Sequence, residues 1–419
     1  MTVNGRTDRK LDQVFWQGTG LLPRVLDMLN RDGEEARVVG GAVRNALIGM
    51  PVAEIDVATT AVPQEVMQRA QAEGFKPVPT GIEHGTVTVV ADSRPFEVTT
   101  LRQDVKTDGR HATVAFGRDW RTDAERRDFT MNALSAARDG TVYDYVGGLA
   151  DLAGRRVRFI GDPARRIAED YLRILRFFRF HAAYSDGGHP DAAGLAACIA
   201  GRGGLDQLSR ERVRTELLKL LVAPHAMPAL IAMNDGGLLT RVLGGVGYLG
   251  PFENMAKVEA AIALAPDPVQ RLGALTVAVA EDAGRLREKL RLANGEYERL
   301  ASMGERWREV TPADEHASRA LLYRLGPECY IDRVLLAWAR SPATAHDEAW
   351  HALATLPRRW TPPEFPLKAA DFIARGIEKG PMLGAALRVA EDAWIAAGFP
   401  DNRATIERIA DRLIEQSKT

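Results

Sequence analysis

Residues 38–44 read Val-Val-Gly-Gly-Ala-Val-Arg, and residues 54–57 read Glu-Ile-Asp-Val. The first stretch predicts a short strand, residues 36–39, that runs into a Gly-Gly turn and then into a helix. Glycines let backbone N–H groups approach phosphate oxygens closely, and the N-terminus of a helix attracts anions. An arginine one turn into the helix can bind a phosphate through two parallel hydrogen bonds. The expected phosphate-binding residues are Gly40, Gly41 and Arg44.

Three acidic residues follow on two predicted strands, residues 54–60 and 96–101. Glu54 and Asp56 stand at positions i and i+2, so a strand presents both carboxylates on one face. Glu97 alternates in the same way on the second strand. Carboxylates from neighbouring strands can hold hard divalent cations, and two such ions can activate a ribose 3′-hydroxyl and neutralise a triphosphate. Taken alone, the acid-x-acid pair is also explained as the solvated face of a strand.

The composition predicts a globular protein of about two or three domains, with 419 residues and 46% hydrophobic content. The net charge of −1 excludes a basic surface along the whole chain. One segment is nevertheless strongly basic, and a solvated helix face explains it as well as nucleic-acid binding does. Its arginines are Arg155, Arg156, Arg158, Arg165, Arg166, Arg173, Arg176 and Arg179.

The N-terminus lacks the apolar segment of a secretory signal, and no apolar run is long enough to cross a membrane. The two cysteines, Cys198 and Cys329, are far apart in sequence. We interpret them as reduced thiols, so the sequence predicts a cytoplasmic protein with no membrane partner.

The first half of the chain reads as mixed α/β, whereas helical periodicity dominates from residue 162 onward. Residues 102–122, rich in Asp, Gly, Arg and Thr, are predicted to form a mobile loop. Candidate breaks between helical parts are residues 185–190, 244–251 and 358–366.

Residues 167–182 are predicted to form one amphipathic helix. Its apolar stripe consists of Ile167, Tyr171, Ile174, Leu175, Phe178 and Ala182. The opposite, polar stripe consists of Glu169, Arg173 and Arg176, flanked by Asp170 and Arg179. Ordinary ion pairs between neighbouring turns would also explain the polar stripe.

Several stretches together resemble the family of tRNA CCA-adding enzymes and bacterial poly(A) polymerases. They are GGAVRNALIG (40–49), EIDVATTAVPQEV (54–66), RRDFTMNA (126–133) and EDYLR (169–173). The resemblance is strong over residues 36–221 and looser in the tail. Two positions depart from the family pattern. Asn45 replaces an Asp, and Glu54 replaces the first Asp of a metal-binding Asp-x-Asp pair, keeping its charge on a longer side chain.

The resemblance implies that Arg127, Asp128 and Asn132 surround the incoming ribose and phosphates. It also implies that Asp170 and Arg173 pair with the base. Cytosine and adenine present an amine donor beside a ring-nitrogen acceptor, which a carboxylate and a guanidinium match, whereas guanine and uracil present the reverse. The remaining members of the nucleotide-binding stripe are Glu169, Arg176 and Arg179. The implied catalytic metal ligands, for Mg²⁺, are Glu54, Asp56 and Glu97.

The implied fold is an α/β nucleotidyltransferase head of the polymerase-β type, followed by an all-α neck, body and tail. The expected divisions are residues 1–150, 151–225, 226–355 and 356–419, with tRNA contacted by the tail. The implied reaction is CCA addition to tRNA from CTP and ATP. A poly(A) polymerase and a non-catalytic RNA-binding relative remain alternatives, and the sequence does not indicate a protein partner.

Overall fold

The structure, a computed structural model, describes residues 3–11, 20–108 and 111–417. The chain divides into two compact units, Met1–Gly245 and Val246–Thr419. This boundary falls within the predicted break at residues 244–251. No helix in the described ranges is long and apolar enough to cross a membrane.

The first unit contains an eight-stranded sheet and a separate hairpin. The strands are β1 Arg6–Lys10, β2 Ala36–Val39, β3 Asp56–Thr59, β4 Lys76–Gly81, β5 Thr86–Ala91, β6 Arg94–Thr100, β7 Arg102–Asp108, β8 His111–Phe116, β9 Ser135–Ala136 and β10 Thr141–Tyr143. The order in the large sheet is β1-β10-β9-β2-β3-β6-β5-β4, and β7 pairs with β8.

The centre of the large sheet positions the acidic residues. All four residues of β2 are buried, as a central strand requires. β3 pairs antiparallel with β2 and parallel with β6, which puts Asp56 opposite Glu97. The predicted strand at residues 54–60 is shorter than expected, so Glu54 precedes β3. The predicted alternation still holds, because Ile55 is buried whereas Glu54 and Asp56 are exposed.

The prediction of a loop at residues 102–122 is wrong for most of that segment. β7 and β8 form an antiparallel hairpin, and a helix begins at Trp120. The composition of this segment shows no clear hydrophobic pattern and so does not indicate strands. The two strands nevertheless form by pairing with each other, because strand formation depends strongly on its structural context. Residues 109–110 lie outside the described ranges.

The first unit also contains helices on and beyond the sheet. They are α1 Leu21–Leu29, α2 Gly41–Leu47, α3 Pro63–Ala72, α4 Trp120–Glu125, α5 Gly148–Ala153, α6 Pro163–Glu169, α7 Leu172–Tyr184, α8 Ala192–Ala200, α9 Arg210–Leu221, α10 Ala226–Asp235 and α11 Leu238–Leu243.

The predicted continuous helix over residues 167–182 is wrong, because α6 and α7 are separate helices. Asp170 has extended backbone angles, φ −158° and ψ 109°. Its side chain accepts a hydrogen bond from the Leu172 N–H at 3.0 Å, so it caps the next helix instead of continuing the first. The apolar prediction for α7 is confirmed, since Ile174, Leu175 and Phe178 are buried.

An aromatic cluster packs α7 against the segment that carries Asp128. Phe129 lies 4.9 Å from Phe159 and 5.2 Å from Phe180, measured between ring centroids. Phe159 stacks on Phe177 at 5.4 Å. Such ring contacts add to the burial of large apolar side chains. The cluster therefore holds α7 in a definite position relative to the sheet.

The described part of the second unit is helical. Its helices are α12 Leu249–Ala261, α13 Pro268–Thr276, α14 Glu281–Leu290, α15 Asn294–Gly304, α16 Glu315–Arg340, α17 Glu348–Ala354, α18 Leu356–Arg359, α19 Ala369–Ile373, α20 Pro381–Ala396 and α21 Arg403–Ser417. α16 is kinked at Gly326, whose φ is 72°, just before Pro327. Trp338 stacks on Trp350 in one core, and Phe372 lies in another.

Candidate active site

A cavity of about 570 Å³ lies in the first unit, between the sheet residues and α7. Its lining residues are predominantly charged. They are Gly40, Gly41, Arg44, Glu54, Asp56, Arg126, Arg127, Asp128, Asn132, Asp170, Leu172, Arg173, Arg176, Phe180 and Arg212. The fold thus gathers residues from all the sequence motifs into one site.

The acidic wall of the cavity is formed by Glu54 and Asp56, with Glu97 opposite Asp56 on β6. Burial and the charge of Glu54 raise the pKa of Asp56, whereas the charge of Arg127 lowers it. Burial and the charges of Asp56 and Glu54 raise the pKa of Glu97. These carboxylates therefore repel one another, and a bound cation would relieve that repulsion.

The carboxylates form an open set of oxygen ligands and not a closed cage. In the described ranges, no three acidic, histidine or cysteine side chains come close enough to enclose a metal. Mg²⁺ usually binds one or two carboxylates and takes its other ligands from phosphates and water. The residues present therefore fit a magnesium ion that is shared with a phosphorylated substrate.

Arg127 lies above the Gly-Gly turn. Gly40 has φ 67° and ψ −124°, which favours glycine, and a β-carbon there would lie 3.4 Å from Arg127 Nη1. Asp123 is buried and accepts from Arg127 Nη2 at 3.0 Å through Oδ2 and from Arg126 Nη2 at 2.6 Å through Oδ1. The turn and Asp123 together hold Arg127 beside the carboxylates.

Arg44 is buried and makes its hydrogen bonds within the protein. It donates to Asn132 Oδ1 at 2.5 Å, to the Tyr184 hydroxyl at 2.6 Å and to Asn45 Oδ1 at 3.1 Å. Asn45 also donates to the Pro51 carbonyl at 3.0 Å. Asn45 therefore links Arg44 to the loop that leads to Glu54, which gives this departure from the family pattern a structural role.

Asp128 connects the sheet side of the cavity to α7. Its Oδ2 accepts from Arg176 at 2.7 Å and 2.6 Å, and its Oδ1 accepts from Asn132 at 3.1 Å. Burial raises the pKa of Asp128. The charge of Arg176 and the hydrogen bonds from Asn132 and Arg176 outweigh that effect, so the pKa lies below its usual value. Arg179 contacts Glu216 of α9 at 2.5 Å, outside the cavity lining. Arg176 also lies 3.9 Å from Glu216, so that a continuous polar network runs from α2 to α9.

The last part of the cavity wall surrounds the break between α6 and α7. Glu169 binds Arg173 at 2.5 Å and Arg166 at 3.0 Å. Asp170 Oδ2 accepts from Arg212 of α9 at 2.7 Å. Asp170 and Arg173 both line the cavity, so the region of the break contributes a carboxylate and a guanidinium to its wall.

The structure separates the predicted site residues into two groups. Most of them line the cavity, whereas Glu97, Glu169 and Arg179 are not among its lining residues. Sequence reasoning missed Asp123 and Arg212. Asp123 lies three residues before the RRDFTMNA motif. The only signal in the sequence is its i,i+4 spacing from Arg127, which would allow the two side chains to pair on one face of a helix. No spacing in the sequence connects Arg212 to Asp170.

Comparisons with known proteins agree with this geometry. The family model described as the poly A polymerase head domain matches residues 36–158, and the probable RNA and SrmB-binding site of polymerase A matches residues 195–246. The mitochondrial CCA tRNA nucleotidyltransferase 1 of Mus musculus is 34% identical over 93% of this chain and 89% of its own. The CCA-adding enzyme of Limosilactobacillus fermentum is 31% identical over 93% and 96%.

Solved structures give the same result. The CCA-adding enzyme of Bacillus stearothermophilus in complex with CTP has a TM-score of 0.73, 27% identity, and covers 95% of this chain and 97% of its own. The Thermotoga maritima enzyme complexed with tRNA shares the fold, with a TM-score of 0.69 at 18% identity, covering 97% and 99%. The predicted fold class, a nucleotidyltransferase head followed by a helical remainder, is confirmed. The chain belongs to the family of CCA-adding tRNA nucleotidyltransferases.

Proposed function

We propose that this protein adds C, C and A to the 3′ end of tRNA, using CTP and ATP without a nucleic-acid template. The single observation that carries the proposal is the cavity, in which an acidic wall faces a wall of arginines. The names of the relatives support the choice of tRNA, CTP and ATP. In the reaction the RNA 3′-oxygen bonds to the α-phosphorus, the hydroxyl loses its proton, and pyrophosphate leaves with the broken P–O bond.

Glu54 and Asp56 would hold Mg²⁺, and Glu97 would add negative charge from the neighbouring strand. The bound metal would favour deprotonation of the 3′-hydroxyl and neutralise charge on the triphosphate. The open carboxylate set and its mutual repulsion support this assignment. Asp56 is the principal ligand in the proposal, because it faces both Glu97 and the cavity.

The triphosphate would lie over Gly40 and Gly41, with Arg127 as its main cationic partner. The Nη1 of Arg127 lies beside the Gly40-Gly41 turn, whereas its Nε and Nη2 donate to Asp123. Arg44 would act mainly by holding Asn132, since its guanidinium is occupied within the protein. Asn132 would orient the ribose, because its Oδ1 accepts only from Arg44 and keeps one lone pair for a hydroxyl group. Asp128 would act by holding Asn132, since Arg176, Asn132 and the Phe129 N–H already occupy its carboxylate oxygens.

The base would lie against Asp170 and Arg173. An ionised Asp170 accepts from the exocyclic amine of C or A, and Arg173 donates to the ring nitrogen. Glu169 would orient Arg173, and Arg212 would orient Asp170. Arg176 and Arg179 would support α7 through Asp128 and Glu216.

We also propose that the chain divides into head, neck, body and tail, with boundaries at residues 150, 225 and 355. We further propose a cytoplasmic location, on the basis of the reduced cysteines. The structure records both cysteines as free thiols. The names of the vertebrate relatives state a mitochondrial location for those proteins.

Purified protein with Mg²⁺ and all four nucleotides is expected to extend tRNA lacking its 3′ end by C, C and A and then to stop. A sequencing gel measures the added nucleotides directly. Long A tails on unstructured RNA, with ATP alone and no use of CTP, would identify a poly(A) polymerase instead. No incorporation in Mg²⁺ would identify a non-catalytic relative.

The substitution Asp56→Asn is expected to lower incorporation of both C and A by about a hundredfold or more, because several kcal/mol of charge stabilisation is lost. Incorporation is measured on tRNA lacking CCA, and folding is checked by thermal unfolding. Asp92→Asn, the same change in the exposed turn between β5 and β6, is the matched control and should be normal. Near-normal turnover of Asp56→Asn would refute the metal assignment.

The substitution Asp123→Asn is expected to raise the KM for CTP and ATP about tenfold, with a smaller change in kcat. An amide provides only one acceptor oxygen for two arginines, so Arg127 loses a charged partner that holds it. Steady-state kinetics for each nucleotide measure this split. Asp119→Asn, at the exposed N-cap of the same helix, keeps its capping function and serves as control. Equal KM values in the two variants would show that Asp123 does not position Arg127.

A further inference from the structure

One arginine of the nucleotide cavity differs from the others in its charge balance. Six arginines line the cavity, and five of them form an ion pair with a carboxylate. The pairs are Arg126 and Arg127 with Asp123, Arg173 with Glu169, Arg176 with Asp128, and Arg212 with Asp170. Arg44 is the sixth arginine, and it forms no ion pair with any carboxylate in the part of the chain that the structure describes.

The hydrogen bonds that Arg44 donates all end on neutral groups. Nε and Nη2 donate to Asn45 Oδ1 at 3.1 Å and 3.0 Å. Nη1 donates to Asn132 Oδ1 at 2.5 Å, and Nη2 also donates to the Tyr184 hydroxyl at 2.6 Å. The guanidinium lies 3.9 Å from the ring centroid of Tyr184 and 5.2 Å from that of Phe180. These contacts hold the cation in place, but none of them supplies a negative charge.

The missing counter-charge matters because Arg44 is buried. Its side chain belongs to a residue that is 6% exposed, and burial lowers the pKa of the guanidinium. Arginine does not lose its proton in a protein, so the positive charge remains. A buried charge without a charged partner destabilises the free protein, and an anion bound beside it would remove that cost.

The charge of Arg44 lies close to the turn over which the triphosphate is proposed to bind. A β-carbon at Gly41 would lie 3.5 Å from Arg44 Nη2. The negative charge of Asp128 also acts on Arg44, but that carboxylate is bound to Arg176. A phosphate group over the Gly-Gly turn can therefore supply the counter-charge that the protein itself does not provide.

The residue at position 45 decides whether Arg44 has a counter-charge within the protein. Aspartate has almost the same shape as asparagine, so Asn45→Asp would place a carboxylate oxygen where Oδ1 now accepts two hydrogen bonds from Arg44. That aspartate is the residue of the family pattern, which this chain replaces with a neutral amide. The amide keeps the geometry of the contact and leaves the charge uncompensated.

We infer that Asn45 increases the affinity of the cavity for phosphate groups, because its neutral amide leaves the charge of Arg44 available to the incoming nucleotide. Arg44 acts here through its charge, in addition to holding Asn132 through a hydrogen bond. The ligands are the triphosphate of a nucleotide and the pyrophosphate that leaves, and their identity rests on the proposed function. The base is bound by other residues, so the effect is the same for every nucleotide.

The test measures binding of CTP, ATP, GTP and inorganic pyrophosphate by isothermal titration calorimetry, with Mg²⁺ and without RNA. Asn45→Asp is expected to bind CTP, ATP and pyrophosphate about tenfold more weakly than the wild type, because the new carboxylate neutralises Arg44. The ratio of the affinities for CTP and GTP is expected to stay the same. Thermal unfolding confirms that each variant is folded.

Two further variants separate the charge from the other contacts of Asn45. Asn45→Ala removes the hydrogen bond to the Pro51 carbonyl, as Asn45→Asp also does, but it adds no charge. It is expected to weaken binding by less than about threefold, since Arg44 keeps its full charge. Asn402→Asp is the matched control in the second unit. Its Oδ1 accepts from the Thr405 N–H at 2.9 Å, which an aspartate also does, so its affinities should equal those of the wild type.

A wild-type affinity of Asn45→Asp for pyrophosphate would overturn the inference. Equal losses in Asn45→Asp and Asn45→Ala would also overturn it and assign the effect to the contact with Pro51. Because binding is measured without RNA, the result does not depend on nucleotide addition. A wild-type protein that binds nucleotides in the expected pattern but adds none to tRNA would refute the proposed function and leave the role of Asn45 intact.

Discussion

The ion pair between Asp128 and Arg176 is the interaction on which the site depends. It joins the segment after α4 to α7 with two short hydrogen bonds, and Asp128 is buried whereas Arg176 is half-buried. Loss of Arg176 would leave the buried carboxylate of Asp128 without its charged partner, which costs far more than a surface pair contributes. The aromatic cluster around Phe129 fixes the same junction by apolar packing. α7, which carries Arg173, therefore cannot move independently of the sheet that carries Asp56.

This junction separates two kinds of charge across one cavity. Carboxylates that repel one another form one wall, and arginines held by internal acids form the other. Donors and acceptors fixed in advance lose little reorganisation energy when charge develops in a reaction. Asp123, Glu169 and Glu216 serve this purpose, since each holds an arginine and none of the three lines the cavity. In the proposed function, this arrangement would hold a triphosphate, a metal and a base edge together.

Much of this site could be predicted from the sequence, because its signals are local. The Gly-Gly turn, the alternation around Ile55 and the buried face of α7 follow from strand and helix periodicity. The break at Asp170 could not be predicted, because a side-chain cap competes with helix continuation and periodicity does not detect it. Arg212 was missed for a different reason, since its contact with Asp170 joins two helices far apart in sequence. The departure at Asn45 could be seen in the sequence but not interpreted without its contact with the Pro51 carbonyl.

The central claim is that protein side chains, and not a nucleic-acid template, select C and A. The most direct measurement is the incorporation ratio of the four nucleotides for the wild type, Asp170→Ala and Arg173→Ala on tRNA lacking CCA. A base contact of this kind discriminates by about 1–3 kcal/mol, so each variant is expected to misincorporate G or U about ten- to a hundredfold more often. Unchanged selectivity at a reduced rate would contradict the account and leave Asp170 and Arg173 with a purely structural role.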